Sequence, residues 1–152
     1  METDISSEVY VELHIPNFQT AIDFYKMLGF EVVWLKEEYL VMRKGKSILN
    51  FYMGSEKVYQ HSYFGRFPKD TKRGYAVEIF FLEDDLEGLW KKIKDKVKVI
   101  QPLILKPWGR PDFRIEDPFG FYLRFGKRYD WINNKERIAN TKEMAKKKGI
   151  TL

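Results

Sequence analysis

Residues 107–125 read Pro-Trp-Gly-Arg-Pro-Asp-Phe-Arg-Ile-Glu-Asp-Pro-Phe-Gly-Phe-Tyr-Leu-Arg-Phe, and the local chemistry of this stretch decides the fold. Pro107 and Gly109 bracket Trp108, which puts the indole on a stiff loop instead of inside a strand. A strand is expected over about 112–116. Asp117-Pro118-Phe119-Gly120 is then a type I or II turn signal that reverses the chain into a last strand, about 120–126. At this stage Trp108 is either a core indole or a ring available to a ligand, since tryptophan is largely buried whatever it does.

Upstream of this hairpin, Val77, Ile79 and Phe81 alternate with Glu78, Phe80 and Leu82, the two-residue spacing of a strand. Asp84 followed by Glu87 resembles a capping box, and Leu86, Leu89, Trp90 and Ile93 give a helical stripe. A strand over about 97–101 completes a βαβββ unit spanning about 73–126. The first half repeats the order over about 8–53. Val11, Leu13 and Ile15 alternate with Tyr10, Glu12 and His14, and Asn17 can cap a helix. Ala21, Phe24, Tyr25 and Leu28 form that helix's stripe, which Gly29 stops. Strands are expected over about 30–36, 38–43 and 47–53, with Lys44-Gly45-Lys46 as a turn. Aligning Val11 on Val77 gives an offset of 66, and Asn17 on Asp85 gives 68; both are even, so equivalent residues keep the same face.

A length of 152 residues fits one domain, and 44% hydrophobic with 16% aromatic residues marks a chain able to bury a core. With no cysteine, disulfides, thiolate metal sites and cysteine nucleophiles are excluded, which fits a cytoplasmic location. METDISSEVY lacks the basic segment and apolar run of a signal peptide, and no stretch approaches the roughly 20 apolar residues of a membrane span. The net charge of +5 lies entirely in the segment from Lys127 onward. There Lys146-Lys147-Lys148 has the pattern of a solvated helix end; the first 126 residues balance to zero, so no basic face for nucleic acid is expected. A helix over about 133–148 ends at Gly149, which divides the chain into a domain over 1–128 and a basic helical extension over 129–152. The acidic pairs Glu37-Glu38, Glu83-Asp84-Asp85 and Glu116-Asp117 all fall at expected turns or caps, where solvent exposure is the simplest expectation. The aromatic-rich loop over 54–72 is a lid, a subunit contact or an ordinary anchor.

Strand, helix and three strands, twice over, is the α+β architecture of the vicinal oxygen chelate superfamily, in which two βαβββ modules line a cup. Residues 107–125 resemble the PWG…F…DP.G…F signature of its bleomycin-resistance-type members. Ala21 through Phe30 is similar to the family's A..FY...LGF helix end, and the resemblance covers about residues 8–126. Metal-dependent members carry a His or Glu at four cup positions, where a divalent ion polarises substrate oxygens. The resemblance places those positions on Tyr10, Asn50, Glu78 and Arg124, of which only Glu78 is an ordinary ligand. A guanidinium at Arg124 would repel a bound cation, and it could pair with Glu78 instead. His14 and Glu12, on one strand face about 6–7 Å apart, do not by themselves make a compact site.

The resemblance therefore implies a protein that binds a small molecule without metal or other cofactor, as bleomycin-resistance relatives sequester their drug, rather than an enzyme. The expected binding residues are Tyr10, Asn50, Glu78, Trp108, Phe113 and Arg124, with Trp34 a further ring of undetermined facing. A two-fold homodimer is expected, with neither nucleic acid nor membrane as partner. The alternative is a metal-dependent lyase or dioxygenase with displaced ligands.

Overall fold

A computed structural model describes residues 9–152; residues 1–8, which hold most of the N-terminal stretch considered above and the first residue of the expected first module, lie outside these. The chain runs β1 (Val11–Ile15), α1 (Phe18–Met27), β2 (Glu31–Lys36), β3 (Tyr39–Lys44) and β4 (Ser47–Met53). Two short 3-10 turns follow at Glu56–Gln60 and Phe64–Arg66. The second half is β5 (Glu78–Leu82), α2 (Leu86–Ile93), β6 (Lys98–Leu105), β7 (Pro111–Glu116) and β8 (Tyr122–Gly126), and α3 (Lys135–Lys148) closes the chain. Each half forms one four-stranded sheet, in the orders β1-β4-β3-β2 and β5-β8-β7-β6. The first pair in each is parallel and the others antiparallel, so both halves have the same topology and the expected α+β architecture stands.

Alternation along the strands separates two faces. Leu13, Ile15, Leu40, Met42, Leu49 and Phe51 from the first sheet are buried against α1. Phe81, Phe113, Ile115, Leu123 and Phe125 from the second are buried with α2, and all of these belong to one continuous cluster. Phe30 meets Phe81 with ring centroids 5.6 Å apart, so the core runs through both halves. A buried hydrogen bond ties the halves as well: the Tyr25 hydroxyl on α1 donates to Asp117 Oδ2 over 2.8 Å. Lys44 adds a third tie, donating to the Leu28 carbonyl at 2.8 Å and pairing with Glu83.

Several boundaries differ from the sequence expectation for identifiable reasons. Asp117 is buried rather than exposed: its Oδ1 accepts the Phe119 and Phe121 amides at 2.9 Å each, so it organises the turn from inside. The cap of α2 is Asp85, whose side chain accepts the Gly88 amide at 3.1 Å, while Asp84 lies outside the helix and pairs with Arg128. Strand β6 extends to Leu105, well past the expected end near 101, because it is an outer edge strand. Such an edge tolerates Pro102 and the register shifts between Val99 and Ile104. Helix α3 begins at the Asn134 cap and ends on Gly149 at φ 65°, within two residues of expectation.

Candidate functional site

The faces turned away from the helices carry the polar and ring chemistry. On the second sheet, register places Arg124 between Phe80 on β5 and Arg114 on β7, and pairs Asp112 with Gly126. Arg124 Nε donates to Asp112 Oδ2 at 2.9 Å, and its guanidinium carbon lies 4.0 Å above the Phe80 ring and 5.8 Å from that of Trp108. Gly126 makes room for this arrangement, since a Cβ there would sit 2.9 Å from the Phe80 ring. Glu78 Oε1 lies 3.1 Å from Arg114 Nε and its Oε2 3.9 Å from Arg124. Gln101 bridges the cluster by donating to Asp112 Oδ1 at 2.9 Å and accepting from Arg114 at 3.3 Å. Two guanidinium groups thus face two carboxylates, Asp112 being 1% exposed and Arg124 20%. Beside the cluster, an open groove of about 490 Å³ is lined by Tyr75, Glu78, Arg114, Glu116 and Tyr122, with Lys72 at its rim.

Trp108 stands on the 106–110 turn, closed by the Gly109 amide on the Lys106 carbonyl at 2.8 Å with Gly109 at φ 82°. Trp108 is 52% exposed beside Arg124 and Lys106, so the ring lies on the surface and not in the core. Phe113 behaves in the opposite way and is withdrawn as a binding residue. It alternates with Asp112 and Arg114 and lies fully buried, stacked on Phe125 at 5.0 Å and against Trp90 at 5.1 Å.

On the first sheet, register pairs Glu12 with Asn50, Asn50 with Val41 and Val41 with Trp34, so all four share the face opposite the core. Trp34 is thereby assigned to the same side as Asn50. Tyr10 is exposed just before β1, two residues upstream of Glu12. The Tyr39 hydroxyl donates to Glu12 Oε1 at 2.6 Å, and Glu12 Oε2 lies 3.1 Å from His14 Nε2. Burial, then the hydrogen bond to Glu12 and its charge, push the Tyr39 hydroxyl up to about 12, against a smaller opposing bond with Asn50. His14 is covered by Tyr52 and by His61 and Phe64 of the 3-10 segment, with centroids 5.0, 4.9 and 5.0 Å away. Among the described residues no hydrogen bond, ion pair or ring contact joins the first-sheet group to the Arg124 cluster.

Of the expected residues, Glu78, Trp108 and Arg124 come together, while Tyr10 and Asn50 lie on the other sheet. Sequence reasoning missed Asp112, Arg114 and Phe80. The signal for Phe80 was its place two residues after Glu78, on the same strand face. For Asp112 and Arg114 it was an acid and a base two apart on a strand whose intervening residue is apolar. The four inherited ligand positions do not fit a metal. Arg124 brings a fixed cation against Asp112, and Glu78 is occupied by Arg114. Among the described residues no group of three or more His, Asp or Glu side chains is placed to hold an ion.

The family model described as Glyoxalase/Bleomycin resistance protein/Dioxygenase superfamily matches residues 9–125. Among solved structures, a protein of unknown function from Agrobacterium tumefaciens str. C58 is 18% identical with a TM-score of 0.67, covering 82% of this chain and 95% of that one. TioX from Micromonospora sp. ML1 is 18% identical with a TM-score of 0.64, covering 82% and 100%. A bleomycin-binding protein complexed with bleomycin is 19% identical with a TM-score of 0.58, covering 82% and 100%. Likeness at such identities speaks for the fold alone. A comparison with curated proteins finds no match. The matched residues take in both βαβββ halves and every strand except the last residue of β8, and on that basis the chain belongs to the glyoxalase/bleomycin resistance protein/dioxygenase superfamily.

Proposed function

We propose that this protein binds and sequesters a planar or amphipathic small molecule without a metal or other cofactor, using the outward face of its second sheet. The observation that carries this reading is the open groove of about 490 Å³ lined by Tyr75, Glu78, Arg114 and Tyr122, a volume in the range of small-molecule sites, which Glu78 links to Arg124 and, through it, to the exposed Trp108. Trp108 supplies a stacking surface, and Glu78, Arg114 and Arg124 supply fixed polar groups. Because the two guanidinium groups are balanced by Asp112 and Glu78, recognition rests on stacking and hydrogen bonding more than on net charge. The bleomycin complex of a structurally similar protein supports small-molecule binding as the use of this fold.

The reading includes a two-fold dimer. Outer edge strand β2 exposes Val33, Trp34 and Leu35, and outer edge strand β6 exposes Ile100, Ile104 and Leu105, apolar surface that a second copy would cover. In such a dimer Tyr10 and Asn50 of one protomer would complete the wall opposite Glu78, Trp108 and Arg124 of its partner.

Titration of a panel of planar aromatic compounds, bleomycin included, against tryptophan fluorescence tests the site. At least one compound is expected to bind, and Trp108→Ala should weaken it by about 1–3 kcal/mol, the range for losing a stacked ring. Arg124→Ala should weaken it in parallel. Unchanged affinity in both folded variants would remove these residues from the site.

A further inference from the structure

The geometry points to a seat for a planar carboxylate on the second sheet, which Glu78 occupies until such a ligand displaces it from Arg114. This rests on the binding reading above and names the ligand class. Register sets Arg114 on β7 directly opposite Arg124 on β8. Like charges in that relation repel, so the pair needs anions beside it. On the next row of the same face Asp112 supplies the first, and it is held firmly. It is 1% exposed, its Oδ2 accepts from Arg124 Nε and its Oδ1 from Gln101, each at 2.9 Å. Its distance to Arg114 is longer, 3.7 Å from Oδ2.

Glu78 supplies the second anion, and supplies it poorly. Its register partner is Tyr122, which pairs in turn with Glu116, so Glu78 stands one row off and two strands away from Arg114. Neighbouring strands lie about 4.8 Å apart, and the carboxylate therefore reaches diagonally across roughly 10 Å of sheet from β5. It arrives at a suitable distance and an unsuitable angle. Oε1 is 3.1 Å from Arg114 Nε, yet that Nε is buried and makes no hydrogen bond among the described residues. Oε2 is 3.9 Å from Arg124. The hydrogen bond that Arg114 does make runs to Gln101 at 3.3 Å, on an oxygen that also accepts from Lys106. A buried donor left unpaired costs free energy, so the resting arrangement is improvable.

A carboxylate carried by a ligand has no tether to β5. It can lie in the plane of the Arg114 guanidinium and accept two parallel N–H bonds, the geometry that Glu78 misses. Arg114 and Glu78 both line the groove of about 490 Å³, whose rings are Tyr75 and Tyr122, so a flat apolar body finds cover beside the seat. Glu78 is 33% exposed and has water to turn into. The exchange replaces one carboxylate by another, which preserves the charge balance of the cluster. The remaining charges at the groove do not compete for the ligand on equal terms. Lys72 and Lys98 already hold Glu116 at 3.2 and 3.0 Å, leaving Arg114 as the lining cation with the worst-placed partner.

The test is calorimetric titration of the full-length protein with naphthoate and with its neutral amide, naphthamide. Glu78→Gln removes the competing charge, so it should bind naphthoate at least about tenfold tighter than the parent, with the amide little changed. Where the parent binds naphthoate too weakly to measure, binding that appears in Glu78→Gln is that gain. Adding Arg114→Lys keeps the net charge and loses the planar fork, so most of the gain should vanish. Naphthoate binding by Glu78→Gln that is absent or no tighter than the parent's overturns the proposal. So does an equal gain for the amide, or a gain that survives Arg114→Lys in full. Should Glu78→Gln fail to fold, the Nε–H resonance of Arg114 in the unaltered protein decides. It should move with millimolar naphthoate and not with naphthamide, and a resonance that stays put overturns the proposal. Failure here alongside a neutral aromatic that still quenches Trp108 sinks the carboxylate seat alone; failure of every compound sinks the binding reading as well.

Discussion

Tyr25 and Asp117 show how one contact can report on the whole molecule. Burial first, then the charge and hydrogen bond of Asp117, hold the Tyr25 hydroxyl well above its ordinary value near 10. Asp117 is itself raised, burial outweighing the bonds it receives from Phe121, Tyr25 and Phe119. Tyr25→Phe removes the donor and leaves a buried carboxylate oxygen unpaired, so denaturant unfolding at pH 7 should show a loss of about 1.5–3 kcal/mol. The pH dependence has a definite sign. A folded-state value above the unfolded one means the unfolded tyrosine gives up its proton first. This stabilisation is therefore complete below pH 10 and is lost as the pH rises beyond it. Tyr39 behaves the same way between about pH 10 and 12, so Tyr25→Phe should show a shallower alkaline loss, not a flat one. The Tyr25–Asp117 pairing was not legible in the sequence, because the two are 92 residues apart and each also satisfies a local pattern, a helix stripe and a turn.

At the scale of elements the sequence was informative wherever a local rule and the long-range packing agree. The α1 cap at Asn17, whose side chain accepts the Thr20 amide at 2.9 Å, and the turn closed at Gly109, whose φ of 82° suits glycine, both follow from local chemistry. The α2 cap shows where that logic divides: Asp84 and Asp85 both suit a cap, and the fold uses the second, leaving Asp84 to pair with Arg128. Melting or denaturant curves should accordingly show a cost of about 1 kcal/mol for Asp85→Ala. Asp84→Ala, which loses only an exposed pair with Arg128, should stay within about 0.5 kcal/mol. The site was legible in part for a similar reason. Alternation fixed that Glu78 and Arg124 leave the core. The same alternation, with Phe113 between Asp112 and Arg114, puts that ring in the core and not among the binding residues.

For the molecule as a whole, the twofold repeat of βαβββ order was open to view because each half repeats the same periodicities. How the halves meet was not, since their joint core depends on rings that any half could bury on its own. The proposed dimer makes a direct prediction: light scattering at high micromolar concentration should give twice 18.3 kDa. A value that stays at 18.3 kDa would leave the exposed edges β2 and β6 without their proposed cover. The Tyr25–Asp117 bond carries a further consequence, for time rather than for free energy. Within each half the antiparallel pairs close short loops, whereas this bond must wait for chain closure across 92 residues. A contact made that late is absent from the folding barrier, so its removal should leave refolding rates nearly unchanged and appear almost wholly as faster unfolding. The hydroxyl of Tyr25 then acts as a clasp that sets how long the two halves stay joined, having had little part in bringing them together.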